Sequence, residues 1–278
     1  MRATLRDDDL PARVSATNAS HRDPLRWLRR ILPFALGGII LIVWTVATSG
    51  ANGSGFMRAT PAEVAQAFVD MIADGSLARH IGTTMLEIAV GYFIGVSLAF
   101  VIGYGVSRIG VLEQLVLPYL IGLQAIPIVA VAPILITYLG PGVLTNAVIC
   151  ALIVFFPMLI TTNVAIRNIH PDHRDLMITL SANWWQTFSK LEVPAALPVL
   201  FGGLKVSTTL AVIGAVVGEG VSAQQGLGYL VYYSRYVFNQ SSVLVGLGTL
   251  MAVAYLLYWL VQRIERRVLR WSRSFAGA

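Results

Sequence analysis

RNIHPDHRDLMITLSANWWQTFSKLEVPAALPVLFGGLK, residues 167–205, is a polar, helix-capable stretch inside a chain that is otherwise close to continuous hydrocarbon. Asp172 follows Pro171 and is placed to cap a short helix from His173 to Leu180, with Asp175 at its third position, near the positive end of the dipole. Ser181-Ala182 breaks that run. Asn183 can cap a second helix with Gln186 three residues on, an Asn/Gln form of the capping box. Trp184, Phe188 and Leu191 fall at i, i+4 and i+7 and make one apolar stripe, with Trp185 beside it. Pro194 disfavours helical backbone at Val193 and is expected to end this helix, while Pro198 suits the first turn of the next. Two short helices carrying an exposed aromatic ridge suit docking into a groove on another protein. Tryptophans also anchor helices at membrane interfaces, but lipid contact alone leaves two capped helices in a polar loop unexplained.

Working outward, the composition sets the solvent. Of 278 residues, 56% are hydrophobic and only 12% are charged, with mean hydropathy +0.71. Soluble domains of this length carry about twice that charged fraction, so the apolar excess belongs to a membrane rather than to a large core. The formal charge of +6 does not signal nucleic acid. Most Lys and Arg lie at the two ends, Arg2 to Arg30 and Arg263 to Arg273, beside apolar segments, as in flanks that face anionic lipid. Cys150, the single cysteine, excludes an internal disulfide and sits in an apolar run as a buried, inert thiol.

Residues 1–30 carry both signs of charge without periodicity and are expected to form a flexible tail. Apolar runs follow at 31–48, 84–107, 115–139, 143–166, 199–219 and 243–263, each at or near the roughly 20 residues that cross a bilayer core. The first run is read as a retained helix, because its leader is too long and the run itself too near spanning length for a cleaved signal. Pro61–Ile72 reads as an amphipathic surface helix. Six crossings put both termini on one side, and the positive-inside rule makes that side the cytoplasm, together with Arg108, Arg167, Arg174 and Lys190. The coupling loop 167–198 is then cytoplasmic, within a six-helix domain over 31–265 that ends in a basic tail, 266–278. Pro127 and Pro133 are expected to break the third segment. Gly202, Gly203, Gly214, Gly218 and Gly220 in the fifth allow close helix contact or a flexible turn.

The same residues carry a family resemblance. LSANWWQTFSKLEVPAALPVLFGGLKVSTTLAVIGAVVGE resembles the cytoplasmic "EAA" loop of ABC-importer permeases, in particular the nitrate, sulfonate, taurine and thiamine-precursor group. LQAIPIVAVAPILITYLGPG (123–142) and QQGLGYLV (224–231) extend the likeness over roughly residues 60–265. The EAA triplet reads Asp175-Leu176-Met177 here and the motif glycine is Ser181, while the Pro-Ala-Ala-Leu-Pro end is intact. The resemblance implies an all-α membrane protein with the six-helix fold of type I ABC importers. It implies a second permease copy, separate ABC ATPases that bind ATP and Mg, an external substrate-binding protein, and the plasma (inner) membrane of a bacterium. Coupling to the ATPase then falls to Asp175, Leu176, Met177, Leu180, Ser181, Ala182, Trp184, Trp185 and Phe188. The solute implied is small and polar, a sulfonate- or nitrate-like anion or a vitamin-type heterocycle.

No sequence of the form GxxxxGK[ST] is present, so ATP chemistry is expected on a separate subunit and this chain is not expected to be an enzyme. No cofactor and no metal are expected on it. His170 and His173 lack further ligands nearby in sequence and read as surface histidines, and Gly226-Leu227-Gly228 reads as a turn rather than a dinucleotide fingerprint. Ionisable groups at membrane depth cost about 2.5–3.5 kcal/mol and so have partners or functions. Glu87 is expected at the interface, solvated or paired with an Arg. Glu219 is a candidate for the pathway or outer gate, as are Gln124 and Pro127 at the broken part of the third segment. Lys205 is expected to snorkel to the cytoplasm. An ion-coupled secondary transporter is the alternative class, and the sequence offers no acidic or histidine relay at mid-membrane for it.

Overall fold

The structure is a computed structural model that describes residues 26–49 and 59–270. The expected N-terminal tail therefore lies outside the described residues up to residue 25, and the end of the basic C-terminal tail lies outside them from residue 271. Among the described residues there is helix, turn and coil but no strand. The helices are α1 (Arg26–Ser49), α2 (Pro61–Ala73), α3 (Ser76–Arg108), α4 (Gly110–Gln124), α5 (Ile128–Leu139), α6 (Val143–Arg167), α7 (Pro171–Thr179), α8 (Trp184–Thr187), α9 (Val193–Ser222), α10 (Leu227–Tyr236) and α11 (Gln240–Val268). A π-helical turn, Phe188–Glu192, joins α8 to α9.

Four stretches are long and apolar enough to cross a membrane: α3, α6, Trp184–Val221 and α11. The α4–α5 pair adds a fifth span, bent by 90°. The first expected segment is helical as α1, and among the described residues it adds a shorter apolar stretch, Leu36–Thr48, to these four or five spans. Large apolar side chains such as Phe93, Val101, Met251 and Tyr255 point outward, which water would penalise and lipid does not.

Small residues decide how the centre packs. Gly91, Gly95, Ala99 and Gly103 recur every fourth position of α3 and make a flat ridge against α6. A Cβ at Gly95 would stand 2.6 Å from Ala151 O, and one at Gly103 would stand 2.8 Å from Leu159 O. The backbones touch only because no side chain intervenes. Gly91 faces Cys150 and Gly103 faces Thr162, so α3 and α6 run parallel. The α4–α5 pair must therefore return the chain to its starting end. Gly203 faces Thr161 and Gly218 faces Asn146, so α9 runs antiparallel to α6. Of the five glycines expected to allow close contact in this segment, Gly202 alone meets nothing.

These directions sort the charges. Arg108, Arg167 and Trp184 sit at one end, here the basic end, and Glu87, Asn146 and Glu219 lie toward the other. Lys205 does not snorkel freely: its Nζ binds both oxygens of Glu265 at 3.0 Å and ties α9 to α11. Arg167 pairs with Glu113 of α4 at 2.7 Å. Cys150 is fully buried, with Sγ 3.4 Å from Ala211 O.

Two breaks differ from expectation. Pro127 separates α4 from α5, but Pro133 and Pro118 sit inside helices without breaking them. Pro194 does not end the helix. Val193 keeps helical angles, and its N–H reaches five residues back to Phe188 O. The wider π turn absorbs the proline, so one helix runs from Trp184 into the span.

Candidate functional site

The hairpin at the basic end is built by its caps. α7 begins at Pro171, the favoured residue for a first helical position, and His170 caps it through Nδ1, which accepts Asp172 N–H at 3.4 Å. The cap is thus His170 rather than Asp172. Asp172 takes the place near the dipole expected for Asp175, which is one turn further on. At the other end Ala182 N–H bonds Met177 O at 2.9 Å and Ser181 N–H bonds Ile178 O at 2.8 Å. This pairing forces left-handed backbone on Ser181, φ 52°, a conformation that glycine adopts without steric cost. Asn183 and Gln186 form the expected capping box, at 2.9 and 2.8 Å.

The hairpin presents Leu176, Ile178, Leu180, Trp184 and Trp185 to the exterior, Trp185 at 61% exposure. Asp175 and Ser181 are exposed with them, and Met177 and Ala182 are half-buried. The ridge divides, however. Phe188 stacks on Trp184 at 5.6 Å and turns its other side to Tyr104, 5.1 Å away and edge-on. Leu191 packs inward with Met158 and Leu200. The exposed apolar face is therefore the two tryptophans with Leu176, Ile178 and Leu180, and Phe188 is the bolt behind them. An apolar patch of this kind on a polar loop marks a protein contact.

Behind the bolt lies a residue the sequence analysis did not single out. Glu192, in the π turn, is fully buried. Its Oε1 accepts Arg108 at 2.7 Å and lies 3.9 Å from Arg174, and its Oε2 accepts Tyr104 O–H at 2.7 Å. Arg174 also donates to Ile166 O at 2.8 Å. One carboxylate thus holds α3, α7 and the α8–α9 helix together. The signal was available: an acid between Leu191 and Val193, in an apolar run, needs a partner.

Gln124 and Pro127 come together in the structure. They line a cavity of about 520 Å³ at the α4–α5 bend, walled by Leu152, Phe156, Leu210 and Ile213. Glu219 lies elsewhere, about 9 Å beyond Ile213 along α9 at the helical rise per residue. It is not an open gate residue. It is buried, accepting Thr84 O–H at 2.6 Å and the Gly228 N–H. Glu87 is neither solvated nor paired with an arginine. It is 1% exposed and accepts Asn146 Nδ2 at 2.9 Å, with the Glu219 carboxyl as its neighbour. Gly226, φ +121°, has no room for a Cβ beside the Glu219 carboxyl, and His80 Nδ1 accepts its N–H at 3.1 Å. The turn read at Gly226–Gly228 is therefore the start of α10, clasped by Glu219.

A second cavity, about 410 Å³, opens beside Glu87 and Asn146 and is bounded by Thr83, Pro141–Val143 and Ala223–Gln225. Among the described residues no group of three or more His, Cys, Asp or Glu is placed to hold a metal ion.

Residues 91–270 match the family model described as "Binding-protein-dependent transport system inner membrane component". The riboflavin transport system permease protein of Chloroflexus aurantiacus is 37% identical over 85% of this chain and 88% of its own length. The formylaminopyrimidine transport permease protein of Halalkalibacterium halodurans is 25% identical over 85% and 94%. The nitrate import permease protein of Leptolyngbya laminosa is 26% identical over 93% and 98%. Among solved structures, an inward-facing form of the MetNI methionine ABC transporter aligns with TM-score 0.60 and 23% identity, over 69% of this chain and 95% of the other. At that identity the likeness speaks for the fold alone.

Proposed function

The chain belongs to the family of binding-protein-dependent transport system inner membrane components, and from that premise we propose how it carries a small polar solute across a bacterial inner membrane. It is a multi-pass permease subunit of an ABC importer, a transport component rather than an enzyme. The energy comes from a separate ABC ATPase that binds ATP and Mg, and the solute from a substrate-binding protein outside. Two copies of this chain line one pathway, with the basic end and both termini in the cytoplasm. Relatives named for riboflavin, formylaminopyrimidine and nitrate bracket the solute as small and polar.

The observation that carries the coupling mechanism is the unbroken helix from Trp184 to Val221. Its exposed start, with Leu176 and Leu180 of α7, is the surface on which the ATPase seats. ATP binding draws the ATPase pair together and moves the hairpin. Phe188 against Tyr104, and Glu192 against Arg108 and Arg174, pass that motion to α3 and to the rest of α9. The cavity at Gln124 and Pro127 and the clasp at Glu219 then open to opposite sides in turn.

The test is Trp185→Ala, with Phe188→Asp as the harsher variant. Trp185 is 61% exposed and its ring lies beside those of Trp184 and Phe188, so the variant is expected to insert and fold. Losing one interface hot spot should weaken ATPase co-purification and binding-protein-stimulated ATP hydrolysis by about tenfold or more. Normal values of both in the folded variant overturn the docking surface.

One observation favours an ion-coupled carrier as a second reading: Glu87 and Glu219 are two buried, neighbouring acids within membrane-spanning helices, and proton-driven transporters use intramembrane acids. Their bonds to Thr84, Asn146 and Gly228 hold the helices and the α10 turn together, which is sufficient work for the pair in a permease.

A further inference from the structure

We propose that the cleft between α1 and the start of α11 binds an anionic phospholipid, its acyl chain in the cleft and its phosphate on Arg235. The cleft is a cavity of about 940 Å³, walled by Ile39 and Val43 of α1 and by Val243 and Leu247 of α11. Trp44, whose Nε1 donates to Ala59 O at 3.1 Å, lines it and also lines a second apolar cavity, about 730 Å³, that reaches α2 and α3. Open space therefore lies on both sides of that ring, and something has to fill it. Folded proteins keep few voids larger than a water molecule, and an apolar cavity does not hold water. A crossing helix from a second copy does not fit. At about 10–12 Å across, a helix takes up about 100 Å³ per ångström of length, so about 940 Å³ admits about six residues where a crossing needs about 20. Residues 50–58, between α1 and Ala59, carry Phe56 and Met57 as their only large apolar side chains, too little to fill it. A flexible acyl chain suits an irregular apolar cleft, and the membrane supplies it.

The polar end of the cleft selects the headgroup. Arg235 is the only charged residue among those that line it, with Gln240 beside it. It is exposed, and among the described residues no carboxylate pairs with it. The apolar run of α11 begins at Val243, one turn after Gln240, so the guanidinium stands at the level of the headgroups and the cleft at the level of the chains. Tyr232, Tyr233 and Tyr236, on the same helix as Arg235, are exposed, and tyrosines of this kind settle where chains meet headgroups. The start of α10 is held by Glu219, which places this level at the end opposite Arg108 and Arg167. In the proposed orientation that is the outer leaflet. An unpaired guanidinium there attracts a phosphate of net negative charge, whereas a zwitterionic headgroup brings an ammonium that offsets the gain. The bound lipid is then the packing that joins α1 to α10 and α11.

The test uses the whole transporter in phosphatidylcholine vesicles that carry a trace of phosphatidylglycerol or of phosphatidylcholine, each with the same diazirine on its acyl chain. After photolysis the label is mapped by mass spectrometry. Phosphatidylglycerol is expected to mark residues 39–43 and 243–247 about fivefold more than phosphatidylcholine, the weight of one cation beside an anionic lipid. Arg235→Gln should bring the two lipids to parity, and Arg235→Lys should keep the preference. Excess glycerol phosphate should not compete, because the buried chain supplies most of the affinity. Val243→Trp, which fills the cleft, should clear both lipids from residues 39–43. Parity in the parent protein, a preference that survives Arg235→Gln, or competition by glycerol phosphate overturns the site. Absence of label at both stretches overturns it too, since protein then fills the cleft. If Val243→Trp fails to assemble, the Arg235 variants decide. Labelling needs neither solute nor ATP, so its outcome is independent of the importer reading.

Discussion

At the scale of single residues, Ser181 shows how a backbone requirement outlives the residue type best suited to it. The bonds that close α7 demand left-handed angles, and serine adopts them at φ 52°. That conformation costs a residue with a side chain roughly 1–2 kcal/mol, and glycine does not pay it. Ser181→Gly should therefore raise stability by about 1 kcal/mol, read as a rise of about 2–4 °C in the melting temperature of the purified protein. A fall would mean that the serine hydroxyl does something its geometry does not reveal. Local rules of this kind were legible in the sequence. The Asn183–Gln186 box and the buried Cys150 are where spacing and composition put them. Glu87 was not legible, because depth along a helix says nothing of which neighbour waits across it. Its partner, Asn146, is 59 residues away.

At the scale of elements, Glu192 joins three helices whose relative placement no single one determines. Removing one partner of a buried ion pair costs about 3–5 kcal/mol. Arg108 is 35% exposed, so water repays part of it, and about 3 kcal/mol is expected for Glu192→Gln. Arg108→Met together with Glu192→Leu removes both members of the closest pair. The double variant should recover at least about 1 kcal/mol relative to the sum of the losses of Arg108→Met and Glu192→Leu made singly, in melting curves of all three. Strict additivity would remove Glu192 from the joint. The helix breaks were only half legible. Pro127 ends α4 as expected, whereas Pro194 is carried through by the π turn, since a five-residue bond sidesteps the missing N–H. Proline rules describe an isolated α-helix, and here a buried acid and a packed Phe188 hold the distorted turn in place.

At the scale of the whole molecule, the glycine ridge of α3 and the antiparallel α9 arrange the polar groups at two levels, a buried ion-pair joint at the basic end and an acid clasp toward the other. The alternation of apolar runs with arginines made this arrangement legible, because each crossing must reverse direction. The α10 helix and the clasp were hidden, since short polar-capped turns carry no hydropathy signal. Uptake by vesicles bearing the assembled transporter is expected to require ATP on the ATPase side and to survive a protonophore. Uptake that collapses with the proton gradient while ATP is present would transfer the weight to the Glu87–Glu219 pair. From Trp184 to Glu192 the helix extends about 12 Å, and from Glu192 to Val221 about 44 Å, at 1.5 Å per residue. If the rod pivots where Glu192 pins it, the long arm is between three and four times the short one. A shove of an ångström or two at the tryptophans then becomes a sweep of several ångströms at the opposite membrane face, and the fulcrum is a single carboxylate.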